Sequence, residues 1–254
     1  METQILKPVI RIERQSIYDG IQRGYYSWVN IPSNVTMLPD SEVPKLIECG
    51  ILPSYATIGQ TFLQSPYGEK EYFTIDDYEI AIMNKKAHHI EMLAAMLGAT
   101  HSEYKIHLTS CQRRSLDAAL KTKITTTKID ANYKEEVENN INHSIQVESD
   151  YRGIIPTAED YEQALLYIKE HNLINDASAQ DILTFRNPNK INTNFVSKRN
   201  VSIQLCQELN KNMDFAAQLC SMDGVINIDA DFVKKVAIKK EATMEFIVQF
   251  AMPN

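Results

Sequence analysis

The chain has 254 residues, of which 44% are hydrophobic and 23% charged, and its formal net charge is −7 at pH 7. This length and composition are typical of a globular protein with one large or two small domains, and the acidic charge disfavours nucleic acid as a partner. The first residues lack the basic start and apolar run of a secretory signal, and no apolar stretch reaches the eighteen or so residues of a membrane-spanning helix, so we predict a cytoplasmic protein.

The cysteines are expected to be free thiols. They are Cys49, Cys111, Cys206 and Cys220, and no two of them form a Cys-x-x-Cys pair, which excludes a zinc knuckle or a thioredoxin-like motif. In a reducing cytosol such thiols stay reduced. The alternative is a disulfide between Cys206 and Cys220, if these two residues face each other on neighbouring strands.

Residues 1–73 form a mixed N-terminal segment that we expect to pack on the core. A helix is predicted over residues 41–50, because Ser41 can cap it, Pro44 is tolerated in its first turn and Gly50 can end it. The segment also carries aromatic residues that could line a ligand pocket, although tyrosines beside turns are more often packing anchors. These residues are Tyr55, Phe62, Tyr67, Tyr72 and Phe73.

The clearest helix follows this segment. Thr74 and Asp77 form a capping pattern, and Gly98 marks the end of the helix. Apolar residues recur at spacings of three and four, which predicts the core face of a helix of about two dozen residues. They are Ile80, Met83, Ala87, Ile90, Ala94 and Leu97. An alternating strand comes next, with Ser102, Tyr104, Ile106 and Leu108 on one side.

The chain is organised around a predicted long amphipathic β-hairpin over residues 116–151, with its turn near residues 132–136. Alternation with a period of two places one side of a strand on an apolar layer and the other in water. In the second strand every even position from 138 to 150 is polar. The apolar face of the hairpin comprises Leu116, Leu120, Ile124, Val137, Ile141, Ile145 and Val147.

A helical insert is predicted over residues 157–186. Thr157 can cap a helix with Tyr161, Leu165 and Ile168 on one face, and the polar connection 172–194 holds a short helix at 179–185. Residues 195–250 then repeat the hairpin pattern more weakly, with a short-turn signal at residues 223–224. Residues 205–222 fit a helix as well as strands, and we favour strands.

These elements predict an α+β fold, in which a mainly antiparallel twisted sheet with long amphipathic β-hairpins packs against several helices. The main domain spans residues 74–254, with hairpin blocks 102–151 and 195–250 around the helical insert. Together with the N-terminal segment it is expected to form one structural unit.

The sequence holds none of the glycine-rich, zinc-protease or serine-hydrolase motifs that mark common active sites. We therefore predict no catalytic residue, no cofactor and no metal ligand. His88 and His89, adjacent on a helix, project about 100° apart and do not form the i, i+4 pair of a metal site. The catalytic alternative is an unrecognised site near His101, His107 and Cys111, which rests on closeness in sequence alone.

Two lysine-rich patches stand out in this acidic chain. Such charges commonly keep long strand edges from associating, and the functional interpretation is contact with an anionic surface such as phospholipid headgroups. No aromatic stacking platform is interleaved with the lysines, which disfavours nucleic acid. The lysines are Lys121, Lys123, Lys128, Lys234, Lys235, Lys239 and Lys240.

Two hairpin-bearing blocks around a bent sheet with clustered helices are similar in outline to the layout of gasdermin and MACPF-type pore-forming proteins. The resemblance is one of layout: the chain has no motif of either family and no lipidated cysteine near Met1, and no residue role is carried over. It implies an oligomer whose hairpins insert into a membrane.

Three hypotheses follow from these patterns. The favoured one is a non-enzymatic homo-oligomer that is recruited from the cytoplasm to an anionic membrane, acts there through its long hairpins and forms a pore. The second is a soluble module that binds a protein or a small ligand. The third is an enzyme with a site near His101, His107 and Cys111.

Overall fold

A computed structural model of the protein describes residues 6–27, 31–68, 70–112, 143–190, 196–204, 216 and 238–253. The helices are α1 (Gln15–Gln22), α2 (Val43–Glu48), α3 (Tyr78–Met96), α4 (Ala158–Glu170) and α5 (Ala177–Phe185). The strands are β1 (Val9–Glu13), β2 (Val35–Pro39), β3 (Thr61–Gln64), β4 (Tyr72–Thr74), β5 (Ala99–Gln112), β6 (His143–Asp150), β7 (Lys198–Gln204) and β8 (Ile238–Phe250).

The described strands form two four-stranded sheets. The small sheet has the order β2-β1-β3-β4, and the large sheet has the order β6-β5-β8-β7. Every neighbouring pair is antiparallel except β1 and β2, which run parallel. With α-helices beside sheets that are dominated by antiparallel pairs, the protein has the α+β fold that its sequence predicts.

Helix α3 lies between the two sheets. Val9 and Leu63 of the small sheet belong to the same apolar core as Ile106 and Met244 of the large sheet, and α3 supplies much of that core. Residues on several sides of α3 are buried, as expected of a helix that other elements enclose. A second, smaller core lies on the other face of the small sheet and includes Ile10, Ile12, Leu38 and Phe62.

The predicted end of α3 is confirmed, but the helix has 19 residues, fewer than the two dozen or so predicted, and its predicted core face is confirmed only in part. Gly98 follows the helix with a φ of 88°. Five of the six predicted core residues are buried, namely Met83, Ala87, Ile90, Ala94 and Leu97. The prediction is wrong at Ile80, whose side chain is 47% exposed, whereas Ile82 is fully buried. A helix that is covered on several sides has no single apolar stripe, so its periodicity is a poor guide to which residue faces inward.

The helix predicted over residues 41–50 is shorter than expected at its start. Residues 40–42 form a 3-10 turn, and α2 begins at Val43. Ser41 makes no cap, because its hydroxyl donates to Gln15 Oε1 at 2.6 Å instead. Gly50 follows the helix with a φ of 69°, as predicted for its terminator.

Helix α4 begins with the cap that the sequence predicts. Thr157 Oγ1 accepts a hydrogen bond from Asp160 N at 3.2 Å, and the Asp160 carboxylate accepts one from Thr157 N at 2.8 Å. These two hydrogen bonds are reciprocal and form a capping box. Ile168 is buried and Tyr161 and Leu165 are half-buried, in agreement with the predicted inner face. The short helix predicted at residues 179–185 is confirmed as α5.

The sequence predicts the wrong partner for strand β6, which is the described end of the central hairpin. A turn near residues 132–136 requires His143–Asp150 to pair with residues near 118–125. Instead β6 pairs with β5, with Leu108 opposite His143 and His101 opposite Asp150. Alternation fixes which face of a strand is apolar but leaves its partner open. Residues 113–142, which hold Leu116, Leu120, Ile124, Val137, Ile141 and the predicted turn, lie outside the described residues.

The last strand agrees with its predicted alternation, since Met244, Phe246, Val248 and Phe250 are buried in β8. Ala216 is the only described residue between β7 and β8, and it is helical and fully buried. Our preference for strands over residues 205–222 is therefore wrong at this residue. The helical periodicity that the segment also carries accounts for the difference.

Arg186 joins three elements in the interior. It follows α5 directly and is fully buried. Its Nε donates to the Leu97 carbonyl at the end of α3 (2.9 Å), and its Nη2 donates to the Ala251 carbonyl after β8 (3.0 Å). The guanidinium also stacks over the Phe250 ring, 4.7 Å from its centroid. Burial lowers the pKa of Arg186 to about 10, so the side chain remains cationic at neutral pH.

Candidate functional site

The large sheet has one apolar and one polar face, and its strand register sets both. Residues opposite each other on neighbouring strands lie on the same face. One row across the sheet is Ile145, Ile106, Met244 and Ile203, and the next apolar row is Val147, Tyr104, Phe246 and Val201. The intervening rows are mostly polar, for example Gln146, Lys105, Glu245 and Ser202.

The apolar face rests on the helices. Ile106, Met244 and Phe246 are fully buried, and Ile203 is 5% exposed. Half-buried Val147 packs against the same core, so one predicted apolar hairpin residue lies on this face. Ile145 occupies the same face by register, opposite Ile106.

The polar face carries paired charges. His101 Nδ1 is 2.8 Å from Asp150 Oδ1, and His101 Nε2 is 3.6 Å from Glu148 Oε1. Glu103 Oε1 contacts Lys105 Nζ at 3.0 Å and accepts a hydrogen bond from Gln146 Nε2, also at 3.0 Å. Because these groups are partly exposed, water screens them and each contact contributes little to stability.

Two long chain segments, residues 113–142 and 205–237, leave the large sheet at the same end. β5 and β7 are each antiparallel to β8, so they run in the same direction and their carboxyl ends lie together. Residues 113–142 connect β5 to β6, and residues 205–237 connect β7 to β8. Each connection has roughly thirty residues, whereas hairpin loops usually have two to five. We call this end of the sheet the insertion end.

Two of the predicted surface lysines have a described backbone position. Lys239 lies opposite Cys111 and Lys240 opposite Ser110, where β5 and β8 extend toward the insertion end. The other five predicted lysines, Lys121, Lys123, Lys128, Lys234 and Lys235, lie outside the described residues.

The residues of the enzymatic hypothesis share one strand. His101, His107 and Cys111 all belong to β5. Four residues along an extended strand separate the backbones of His107 and Cys111 by about 13 Å, so nearness in sequence does not make them a close pair. His101 is oriented by Asp150 and Glu148 instead.

The predicted aromatic cluster is divided between two cores. Phe62 and Tyr72 pack in the smaller core, Tyr67 packs in the main core, and Tyr55 is 53% exposed. Tyr55 donates a hydrogen bond to Asp77 Oδ2 at 2.7 Å. Hydrogen bonds from Thr74 and Tyr55 lower the pKa of Asp77. The packing interpretation of these aromatic residues therefore holds, and they do not line a common pocket.

A titratable cluster, buried at His89 and half-buried at Tyr167 and His171, joins α3 to the end of α4, and no pattern in the sequence predicts it. His89 of α3 is 3% exposed, and its Nδ1 lies 2.7 Å from the Tyr167 hydroxyl of α4. The His171 ring, just after α4, is centred 4.5 Å from the His89 ring and 4.4 Å from the Tyr167 ring. The Tyr67 ring approaches His89 edge-on at 5.4 Å. We call these four side chains the histidine junction.

An ion pair lies beside the histidine junction. Lys86, one turn before His89 on α3, is 1% exposed and pairs with Asp176, which caps α5. Its ammonium lies 5.9 Å from the centroid of the Tyr67 ring. Each proton that the junction gains therefore adds a cation to a cluster whose Tyr67 ring the buried Lys86 ammonium also approaches.

A second polar group lies where α3 meets β5 and the end of β6. Tyr151 donates a hydrogen bond to Glu91 Oε1 at 2.5 Å, and Ser102 Oγ lies 3.4 Å from the same oxygen. Burial, and then this hydrogen bond to Glu91, raise the pKa of Tyr151. The phenol thus stays protonated and anchors the end of β6 to the central helix.

The described residues contain no group of three or more histidine, cysteine, aspartate or glutamate side chains that could hold a metal ion. No described helix combines the length and the apolar character needed to cross a bilayer. Cys49 is exposed with a free thiol, as predicted.

Comparison with known proteins gives no match: neither a family model, nor a curated protein, nor a solved structure resembles this chain significantly. The functional argument therefore rests on the geometry of the large sheet and its connections.

Proposed function

We propose that this protein is a non-enzymatic, oligomerising protein that acts at a membrane and forms a pore with two amphipathic β-hairpins. The observation that carries the proposal is that residues 113–142 and 205–237 leave the large sheet at the same end. Two membrane strands of about ten residues and a turn require roughly 25 residues, and each segment is long enough to supply them.

In the first segment, residues 113–142, the apolar residues fall on the same odd or even positions as those of the adjoining strands, which supports this proposal. The apolar face of β5 uses even positions, such as Tyr104 and Ile106, and that of β6 uses odd positions, such as Val147. In the adjoining segment Leu116, Leu120 and Ile124 are even, and Val137 and Ile141 are odd. Extending both strands would therefore keep the apolar residues on one face.

In the second segment, residues 205–237, the apolar residues likewise fall on the same odd or even positions as those of the flanking strands β7 and β8. Ile203 of β7 is odd, as are Leu205, Met213, Phe215 and Leu219, and Met244 of β8 is even, as are Ile226, Ile228 and Phe232. Because Ala216 is helical and buried in the folded state, this residue would have to leave its helical conformation and its core position when the segment enters the membrane. The proposed insertion therefore needs a trigger.

The edges of the large sheet suit a second copy of the chain. Within the described residues each edge strand, β6 or β7, has a single neighbour in the sheet. The two edge strands are antiparallel to each other, so β6 of one copy beside β7 of the next continues the antiparallel order. Asp150, His101, Gln249 and Lys198 form one row, which places an acidic residue opposite a basic one. Such head-to-tail contacts form a ring when the rotation between neighbouring copies closes, as the proposed pore requires.

Dye release from liposomes tests the membrane activity. The informative variants are Leu120→Asp and Ile124→Asp, which place a charge among the even-numbered apolar positions, with Ala119→Asp and Thr125→Asp as matched controls at odd-numbered positions. Because a charge on the lipid-facing side of a membrane strand is unfavourable, the first pair should abolish release from anionic vesicles, and the second pair should retain it. A folded wild-type protein that releases dye from neither neutral nor anionic vesicles would instead favour the soluble binding module.

Cysteine cross-linking on vesicles tests the subunit contact. The variant Asp150→Cys with Lys198→Cys should form a disulfide between copies, because the proposed register makes the two positions direct neighbours. The control Asp150→Cys with Ser202→Cys is displaced by four residues along the strand and should not cross-link. Equal cross-linking of both variants would contradict the register.

A further inference from the structure

We propose that the histidine junction is an acid-sensitive latch, in which protonation of His89 and His171 releases the end of α4 from α3. The proposal follows from the positions of buried charges in the described residues. Its consequence at a membrane rests on the proposed function, whereas the opening of the latch does not.

The junction holds three parts of the molecule together. His89 belongs to α3, Tyr167 and His171 come from α4 and the residue after it, and Tyr67 comes from the loop between β3 and β4. The same loop is tied to the end of α4, since Asn172 Nδ2 donates to the Pro66 carbonyl at 3.0 Å. At Gly68, with a φ of 78°, an added Cβ would collide with the Glu170 carbonyl. These elements therefore separate together or not at all.

The charges that face the junction oppose its protonation. From α3 come the buried Lys86 ammonium and exposed His88, whose ring is centred 6.1 Å from that of His89. The phenols of Tyr67 and Tyr167 face it from the β3–β4 loop and from α4. The carboxylate of Asp176, from the connection between α4 and α5, pairs with Lys86.

Two protons at the junction would place two cationic rings side by side, in a cluster whose Tyr67 ring the Lys86 ammonium also approaches. The rings of buried His89 and half-buried His171 are centred 4.5 Å apart, and like charges at that separation, partly shielded from water, repel each other. Histidine ordinarily takes up its proton between pH 7 and 6. The end of α4 and the connection to α5 then move away from α3, and the apolar face of the large sheet loses part of its cover.

Hydrogen–deuterium exchange of the intact protein at pH 7.5 and 5.5, corrected for the intrinsic effect of pH, tests the latch. In the wild type, amides of residues 164–176 should exchange at least about tenfold faster at pH 5.5. In the variant His89→Gln with His171→Gln, whose amides keep hydrogen-bonding ability without titrating, the two rates should agree. The matched control His88→Gln, one residue along the same helix and exposed, should behave as the wild type.

The outcomes separate the latch from the membrane activity. Acid-induced exchange that persists in the double variant, or that is absent from the wild type, overturns the latch. If the double variant fails to fold at pH 7.5, His171→Gln alone serves, and it should reduce the acid effect. Opening in acid without dye release leaves the latch standing and contradicts the proposed function, whereas dye release that is equal at both pH values contradicts only the control of membrane activity by the latch.

Discussion

Arg186 illustrates how much of this fold depends on contacts made by single buried side chains. Its two hydrogen bonds satisfy carbonyl groups at the end of α3 and after β8, where helix and strand ladders leave acceptors unused. The neighbouring backbone is equally close, because a Cβ at Gly98 would collide with the Ile154 carbonyl. One cation and one glycine thus fix the point where α3, α5 and the end of β8 meet.

We expect Arg186→Met to lower the free energy of unfolding by about 2–5 kcal/mol, since it removes the two hydrogen bonds to the Leu97 and Ala251 carbonyls and the contact with Phe250. Urea denaturation at pH 7 measures this change. Arg152→Met, at an exposed position, is the control and should change the free energy by less than about 0.5 kcal/mol. Equal effects of the two variants would contradict this role of Arg186.

The histidine junction marks the limit of sequence reasoning at the residue scale. The sequence shows His88 and His89 as neighbours, but nothing local distinguishes the exposed ring from the buried one. His171 and Tyr167 reach His89 only because α4 packs across α3, about 80 residues further along the chain. Such a cluster depends on packing between distant elements, whereas a helix cap depends on residues three apart.

At the scale of elements, local signals predict well and partners poorly. The cap of α4, the position of α5 and the alternation of β8 agree with the sequence because each depends on neighbouring residues. The partner of β6 and the inward face of α3 differ from the prediction. The register of β6 and the covering of α3 on several sides depend on other parts of the chain. Residues 205–222 carry two periodicities at once, so the sequence alone leaves their state open.

Thr157→Ala should destabilise the protein by about 1 kcal/mol at pH 7, because the first turn of α4 loses its cap. The difference in free energy of unfolding between the wild type and the variant should be smaller in acid. Hydrogen bonds from Thr157 hold the pKa of Asp160 below its ordinary value of 3.8, so their stabilisation is complete above that pH and is lost as the pH falls through the lowered pKa.

The measurement is urea denaturation of both proteins at pH 7 and pH 3. Thr184→Ala is the matched control, because the Thr184 hydroxyl donates to the Gln180 carbonyl on an exposed part of α5 and caps nothing. A loss of stability at Thr157 no larger than at Thr184 would show that the capping box contributes little.

At the scale of the whole molecule, an acidic protein presents lysines at the end of the sheet from which both long segments leave. The net charge of −7 repels anionic lipid overall, so attraction has to come from a local patch. Lys239 and Lys240 lie at this end by register. Each lysine near an anionic surface contributes about 1 kcal/mol to binding.

Lys239→Glu with Lys240→Glu should therefore weaken binding to vesicles that contain phosphatidylserine by at least roughly tenfold. Sedimentation with vesicles, at low and at physiological salt, measures the effect. The double variant Arg152→Glu with Lys169→Glu changes the net charge equally at exposed positions outside the insertion end, and it should bind more strongly than the first. Equal losses would mean that overall charge, and no local patch, governs binding.

The two central strands of the large sheet have a consequence for how the protein is made. β5 and β8 pair along thirteen or so residues, yet well over a hundred residues separate them in the chain. During translation the sheet cannot assemble, nor can one side of α3 be covered, until the ribosome has released β8. A chain that stops before residue 238 would lose the strand that joins both halves of the sheet. We therefore expect such a product to be degraded as an unfolded polypeptide and not to persist as a smaller active protein.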